Sequence, residues 1–438
     1  MTLPVFAEPV GAPAFHYRDG VLHAENVALS ELAEKLGTPL YVYSRAALHA
    51  AWERYRSAIE GRNALVCFGM KANSNLAVLK EFARAGAGFD IVSGGELARV
   101  LAVGGDPSRV VFSGVGKQAW EMRAALEAGV MCFNVESHAE LRRLSQVAQE
   151  MGRQAPVSLR VNPDVDPKTH PYISTGLKEN KFGIAIAEAP AAYREAASLP
   201  GIRVVGVDCH IGSQITELSP YLDALDKVLD LVDALDADGI HVDHLDLGGG
   251  LGIRYADETP LSPKLLLDAV FARLAERGYG DVNGEGKNAR RIVLEPGRSL
   301  VGNAGVLLTA VEYLKPSEAK NFAVVDAAMN DLLRPTLYDA YHGVLPVVPH
   351  TRVPAQTYDI VGPICESGDW LARDRSLALE QGDLLAVETA GAYAMVMASQ
   401  YNTRPRAAEV MVDGDRYHVV RERETVAGLM AGESVIPE

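Results

Sequence analysis

Short runs of aliphatic and β-branched residues alternate along most of this chain with longer segments whose apolar positions recur at helical spacing. The strand-like runs are ALVCFGMK, GFDIVSGG, RVVFSG, MCFNVES, VSLRVNP, VVGVDCHIGS, HVDHLDLGGG and RIVLEPGR. Between them lie helical patterns such as NLAVLKEFARAG, GGELARVLAVG, QAWEMRAALEAG, HAELRRLSQVAQEMG and YLDALDKVLDLVDALDADG. Several of these end in glycine, the common stop of a helix C-terminus. Eight strand–helix units in succession predict a (β/α)8 TIM barrel. The competing doubly wound open sheet usually carries fewer strands.

The flanks follow another rhythm. AFHYRDGVLHAENV reads as a hairpin turning at Asp19-Gly20. Beyond residue 302, VLLTAVEYLK, NFAVVDAAMN, TYDIVGPIC, DLLAVETAGAYAM and EVMVDGDRYHVVRE are strand-like without intervening helices, the last again turning at Asp-Gly. The expected organisation is therefore an N-terminal stretch 1–38 joining a C-terminal β-domain, a barrel over 39–302, and a β-rich (β-barrel or sandwich) domain over 303–438. No internal repeat beyond the strand–helix alternation and no low-complexity tract is visible.

Barrel chemistry gathers where strands end and loops begin. Those positions hold Lys71, Asp90, Ser113, Glu136, Arg160, Asn162, His210, Gly248 to Gly250, Glu295 and Arg298. LGGGLG follows the seventh strand and EPGR the eighth, where barrels often build a phosphate site, and glycines let backbone N–H groups approach an anion. A tight strand-to-helix turn would explain the glycines alone. A phosphate-bearing cofactor facing a strand-end lysine suggests pyridoxal 5′-phosphate carried covalently on Lys71. Glu295 would then hold the pyridine nitrogen protonated, and His210 would lie on the ring face. Taken singly, Lys71 reads as a lysine at the barrel rim and His210 as a satisfied core residue.

Composition narrows the class. The 438 residues are 48% hydrophobic, with a formal net charge of -15, which argues against a polyanionic partner such as a nucleic acid. No run is long and apolar enough for a membrane span, and MTLPVFAEPVGAPAF lacks the pattern of a secretory signal. The four cysteines (Cys67, Cys132, Cys209, Cys365) are scattered without CxxC pairing, the thiol usage of a reducing compartment, so a cytoplasmic protein is expected. No metal ligand set is expected.

Nearly the whole chain resembles the diaminopimelate decarboxylases, pyridoxal-phosphate enzymes of the alanine racemase-like barrel class. The resemblance is carried by FGMKANSN, GFDIVSGGEL, FNVES, LRVNPDVD, HPYISTGLKENKFGI, HIGSQI, LDLGGGLGI, EPGRSLVGNAG, NDLLRPTLYDAYH, GPICESGDWL and GAYAMVMASQYN. It implies a two-domain fold, a homodimer with shared active sites, and conversion of meso-2,6-diaminopimelate to L-lysine and CO2, the last step of lysine biosynthesis. It implies that Lys71 carries the cofactor and that His210 stacks on it. Asp90, Ser213, Gly248, Gly249, Gly250, Glu295, Pro296, Gly297, Arg298 and Tyr393 complete the cofactor set. Arg298, Arg334, Tyr338, Glu366 and Tyr393 match substrate-binding positions. Cys365 matches a proton donor that enters from the partner subunit, and PICESGD reads as loop, which suits an accessible thiol. Two guanidinium forks suit the distal carboxylate of diaminopimelate, and Glu366 its ammonium. The one local departure is Gly69-Met70 in FGMKAN, where many relatives have other small or apolar pairs.

Three rival readings remain. A decarboxylase of ornithine, arginine or carboxynorspermidine on the same fold would not need the distal arginines, and the ornithine branch typically has Cys-Asp where Cys365-Glu366 stands. An alanine racemase would place arginine, not Glu295, against the pyridine nitrogen. A non-catalytic homologue, cofactor-binding or antizyme-like, would be expected to lack the lysine or the cysteine.

Overall fold

The computed structural model describes residues 8–166, 181–286 and 288–437. Most of the HPYISTGLKENKFGI motif, up to Asn180, lies outside the described residues. The chain divides into two compact units, one of Ala51–Ile253 with Thr259–Leu300, the other of the chain up to Ala50, Arg254–Glu258 and everything from Val301.

The first unit is the expected barrel. Its parallel strands are Ala64–Gly69, Gly88–Ile91, Val110–Phe112, Cys132–Val135, Ala155–Asn162, Ile202–Asp208, His244–Asp246 and Arg291–Leu294. Each pairs with the next, and Arg291–Leu294 closes the ring on Ala64–Gly69. A two-residue strand, Ile184–Ala185, adds to the outside of Ala155–Asn162. These strands read as nearly continuous apolar runs because both faces are covered. Outward residues meet the helices: Phe68 lies 4.4 Å, centroid to centroid, from Phe82 of helix Leu76–Arg84. Inward residues Leu65, Cys67, Val111, Cys132, Val205 and Val293 form an apolar layer inside the ring. With the two-residue period of a strand, the next inward positions above Cys132 and Val293 are Asn134 and Glu295. The barrel therefore turns from apolar to polar as its strands approach their C-terminal ends.

The helices start and stop where their sequences dictate. Ser93 and Ser137 cap helices Gly94–Ala102 and His138–Glu150 by accepting from the N–H of Glu96 and Glu140. Gly86, Gly104, Gly129, Gly152 and Gly239, the glycines read as stops, all take positive φ.

The second unit contains a nine-stranded sheet ordered Trp370–Leu377, Gln356–Val361, Asn321–Val325, Gly305–Lys315, Leu40–Ser44, Ala408–Asp413 and Arg416–Arg421, with Leu384–Val387 and Val344–Pro346 branching from Gly305–Lys315. The N-terminal strands Phe15–Arg18, Val21–Ala24 and Val27–Ala28 form a small antiparallel sheet whose turn is Asp19-Gly20, both at positive φ. Phe15, Leu22, Leu40, Val42, Val306, Leu308, Ala386 and Val410 share one core.

This corrects the expected boundary at 38/39. Leu40–Ser44 pairs with Gly305–Lys315 and Ala408–Asp413, so it belongs to the β-rich unit. The run LYVYS is buried throughout, and a fully buried strand shows no period that identifies its partners. Arg254–Glu258 likewise groups with the second unit although it lies inside the expected barrel span. Strands Val344–Pro346 and Trp370–Leu377 were not among the expected ones; in the latter, charged residues interrupt the apolar pattern.

Candidate functional site

Lys71 sits in the single turn Met70–Ala72 that follows the first barrel strand. Its Nζ lies 2.8 Å from Asp90 Oδ2, at the end of the second strand; the lysine side chain is 37% exposed and the aspartate fully buried. The other oxygen, Asp90 Oδ1, is buried without a hydrogen-bond partner among the described residues. The strand-end lysine is thus held by a carboxylate while remaining reachable from solvent.

Across the barrel, Glu295 is buried and joins Asp208 and Asp246 in a cluster whose carboxylate oxygens lie within 4.8 Å of one another. Ser113 Oγ donates to Glu295 Oε1 at 3.4 Å, as does Asn134 Nδ2 at 3.4 Å. Burial first, and then the charges of Asp246, Asp90 and Asp208, hold the Glu295 carboxyl well above the usual carboxylate range. Asp246 is pushed up to about 6 by burial, against the N–H of Gly248, which donates to its Oδ1. Asp208 is raised by burial and by Asp246. Neither Asp208 nor Asp246 was singled out from the sequence. Both lie inside apolar strands; the inward phase of DLGGG could have flagged Asp246, while the register shift between Val204 and Gly206 hides that of Asp208.

The glycine turn is fixed by close approach. The N–H of Glu295 donates to the carbonyl of Gly248, and the N–H of Gly69 to that of Pro296, so the EPGR turn is tied to both neighbouring strands. A Cβ on Gly248 would stand 2.5 Å from His210 Nδ1, and one on Gly249 2.2 Å from the carbonyl oxygen of Glu295. The Gly249 N–H donates to His210 Nδ1 at 3.1 Å, which leaves the ring hydrogen on Nε2. Burial, with Arg160 and Lys71 nearby, holds His210 well below the usual imidazole range, so it is neutral at pH 7. Arg298 is buried, and its Nη2 donates to Ser213 Oγ at 3.0 Å. Lys71, Asp90, His210, Ser213, Gly248 to Gly250 and Glu295 to Arg298 therefore all lie at the C-terminal ends of the barrel strands.

The remaining candidates belong to the β-rich unit. Arg334 opens helix Arg334–Tyr338 and is buried, with its guanidinium 5.3 Å from the Tyr255 ring centroid and 5.8 Å from that of Tyr338. Tyr393 holds a left-handed backbone, φ 53, unusual for a bulky residue and found most often where function demands it. Cys365 is exposed, in a loop organised by Asp369, whose Oδ2 accepts the N–H of Ile364 at 2.7 Å and whose Oδ1 accepts that of Met329 at 2.7 Å. The hydroxyl of Tyr401 donates to Glu366 Oε1. Tyr401 was not among the expected site residues, although it lies in the quoted GAYAMVMASQYN.

Known proteins share this chain's sequence and fold over nearly its whole length. The family described as "Pyridoxal-dependent decarboxylase, pyridoxal binding domain" matches residues 45–302. The diaminopimelate decarboxylase of Pseudomonas aeruginosa is 62% identical over 424 residues, covering 97% of this chain and 99% of that protein. The crystal structure of diaminopimelate decarboxylase from M. jannaschii in co-complex with L-lysine is similar with a TM-score of 0.92 at 39% identity, covering 98% of this chain and 99% of that one. That from Helicobacter pylori complexed with L-lysine gives a TM-score of 0.86 at 41% identity, over 92% of this chain and 98% of that one. The chain belongs to the diaminopimelate decarboxylase family of pyridoxal-dependent decarboxylases.

Proposed function

We propose that this protein uses pyridoxal 5′-phosphate to decarboxylate meso-2,6-diaminopimelate to L-lysine and CO2, completing lysine biosynthesis. The observation that carries the reading is the opposition, at one mouth of the barrel, of a carboxylate-held lysine and a buried acidic floor. Three carboxyls within 4.8 Å of one another form a site that a ring N–H⁺ would satisfy, and the buried Asp90 Oδ1 awaits a donor. The residues present therefore fit the cofactor.

Bound there, the cofactor supplies an electron sink for the bond to the substrate α-carboxylate. The chain's own residues do the rest. Lys71 is the amine that attaches the cofactor, and Asp90 orients its Nζ. Glu295 holds the proton at the pyridine nitrogen, because that cation offsets the burial and the neighbouring charges that otherwise keep the carboxyl protonated. Neutral His210, turned by the Gly249 N–H, covers the ring face. Ser213, Gly248 to Gly250 and the Pro296-Gly297-Arg298 turn hold the phosphate, with the Gly248 and Gly249 positions closed to any side chain.

The substrate residues enter this reading through the family motifs. Arg298 and Arg334 take the distal carboxylate, Glu366 the distal ammonium, with Tyr338 and Tyr393 beside them. Cys365 delivers the proton to the α-carbon; its exposed thiol in a polar loop supports that role. The family match also supports a homodimer in which the Cys365 loop completes the neighbouring subunit's site. Among the described residues all four cysteines are free, which supports a reducing, cytoplasmic setting, and no described helix is long and apolar enough to cross a membrane.

Incubating the purified protein with single amino acids and measuring released CO2 tests the proposal. meso-Diaminopimelate should be turned over with L-lysine as product, while ornithine, lysine and arginine should not. Comparable turnover of ornithine would place the protein among the basic-amino-acid decarboxylases instead.

A further inference from the structure

Arg334 is oriented by a residue that no motif reading assigned. Its Nε lies 3.4 Å from Nε2 of His342, a fully buried histidine eight positions on. On the opposite side of that ring, Nδ1 lies 2.8 Å from the carbonyl oxygen of Glu388. The ring also stands edge-on to Tyr255, centroids 5.5 Å apart at 85°, and Tyr255 is one of the two aromatic rings flanking the Arg334 guanidinium.

The hydrogen positions follow from these neighbours. A carbonyl oxygen can only accept, so Nδ1 carries the hydrogen. A neutral imidazole then has its lone pair at Nε2, where the Arg334 Nε–H, which an arginine never gives up, must donate. Both ends of the ring give the same tautomer. The consequence falls on the guanidinium: the hydrogen bond at Nε orients its plane, and two aromatic rings flank it. Bidentate recognition of a carboxylate requires a defined plane. With Nε turned to His342, that recognition is directed to the Nη1–Nη2 edge.

We propose that His342 is a specificity-determining positioning residue: it locks the Arg334 fork in the plane that receives the substrate's distal carboxylate. This rests on the reading of Arg334 as a distal-carboxylate residue. The substrate discriminated against is the same amino acid without that carboxylate, for which a well-oriented fork offers nothing.

Two variants of the pyridoxal-phosphate-loaded enzyme separate positioning from packing. In His342→Asn the amide can still donate to the Glu388 carbonyl but nothing reaches Arg334; in His342→Gln the longer side chain can again present an acceptor to Nε. H342N should raise KM for meso-diaminopimelate about tenfold, as for loss of one hydrogen bond to a charged group, with kcat changed less than about twofold. The inhibition constant of L-lysine, which lacks the distal carboxylate, should stay within about twofold, and H342Q should recover most of the KM. Equal losses for both ligands would mean that His342 only supports the fold, and would overturn the proposal. Arg334→Ala, run in parallel, separates the two levels. If it leaves the KM for meso-diaminopimelate unchanged, the Arg334 reading falls and the proposal with it. If it raises that KM while H342N does not, the proposal alone falls. Should H342N fail to fold, the wild-type tautomer decides: a ¹⁵N shift of His342 Nε2 in the unprotonated range supports the proposal, and a protonated Nε2 overturns it.

Discussion

Replacing Asp246 with asparagine should make the cofactor-free protein more stable, and only above mildly acidic pH. The carboxylate oxygens of Asp208, Asp246 and Glu295 lie within 4.8 Å of one another in the barrel interior. Burial, and then the charge of Asp90, push the Asp246 carboxyl up to about 6, against the Gly248 N–H and the hydrogen bonds of Glu295 and Asn134. The unfolded chain would titrate it near about 3.9. A folded value above the unfolded one means that the folded state binds the proton more tightly. The contribution is therefore fully present below about pH 4 and is lost as pH rises through about 6. The replacing asparagine carries no charge at any pH, and its side-chain oxygen can still accept the Gly248 N–H that Oδ1 accepts in the native protein. Asp246→Asn and wild type should thus be close near pH 4 and diverge by up to about 3 kcal/mol by pH 8, about two pKa units at about 1.4 kcal/mol each. The assay is the urea midpoint of cofactor-stripped protein from pH 4 to pH 8 at fixed protein concentration, read by fluorescence of Trp52 and Trp120 in the barrel unit. Bound cofactor should shrink the difference, since a ring N–H⁺ offsets the cluster's charge. A gap that does not change with pH, or a variant that loses ground to wild type as pH rises, would refute the electrostatic account of the cluster.

Other substitutions test the catalytic assignments. Lys71→Ala should abolish turnover and the borohydride-trappable cofactor bond; mass spectrometry that finds the adduct on another lysine would sink the assignment. Glu295→Gln should keep the cofactor bound while turnover falls by about 10²- to 10³-fold, the usual effect of removing one preorganised electrostatic stabiliser; near-normal turnover would mean that another group holds the ring proton. Mixing Lys71→Ala with Cys365→Ala chains should restore about a quarter of wild-type activity, because random exchange makes half the dimers mixed and each mixed dimer has one intact site. A mixture no more active than its parents, with exchange confirmed by native mass spectrometry, would put Cys365 in its own chain's site or remove its role.

The barrel was legible because two periods coincide in it. Strand–helix alternation fixes the count of units, and the junctions of strand and loop fix which polar residues reach the mouth. Lys71, Asp90, His210 and Glu295 could therefore be placed at one end of one barrel before any contact was known. The same rules misplaced Leu40–Ser44, since a strand buried on both faces carries no mark of the sheet it enters. They also passed over Asp208 and Asp246, whose aspartates look like interruptions of apolar strands until three carboxyls are seen to meet.

The β-rich unit behaves differently, and the reason is physical. In a barrel the fold itself assigns function to a position, so a lysine at a strand end is informative before any partner is known. In an irregular β-domain no such rule exists, and Cys365, Glu366, Arg334 and Tyr393 could be named only through whole motifs. What a motif names, moreover, is the residue that meets the ligand, not the residue that aims it. His342 closes NDLLRPTLYDAYH and Tyr255 sits in the short excursion Arg254–Glu258, far from Arg334 in sequence, yet the three form one assembly in which the ring hydrogen, the lone pair and the guanidinium plane determine one another. Specificity for a carboxylate needs both parts. The charge of Arg334 supplies attraction for any anion, while the fixed plane supplies the preference for a two-oxygen ligand at one angle. Sequence shows the charge; only the neighbours of His342 show the plane.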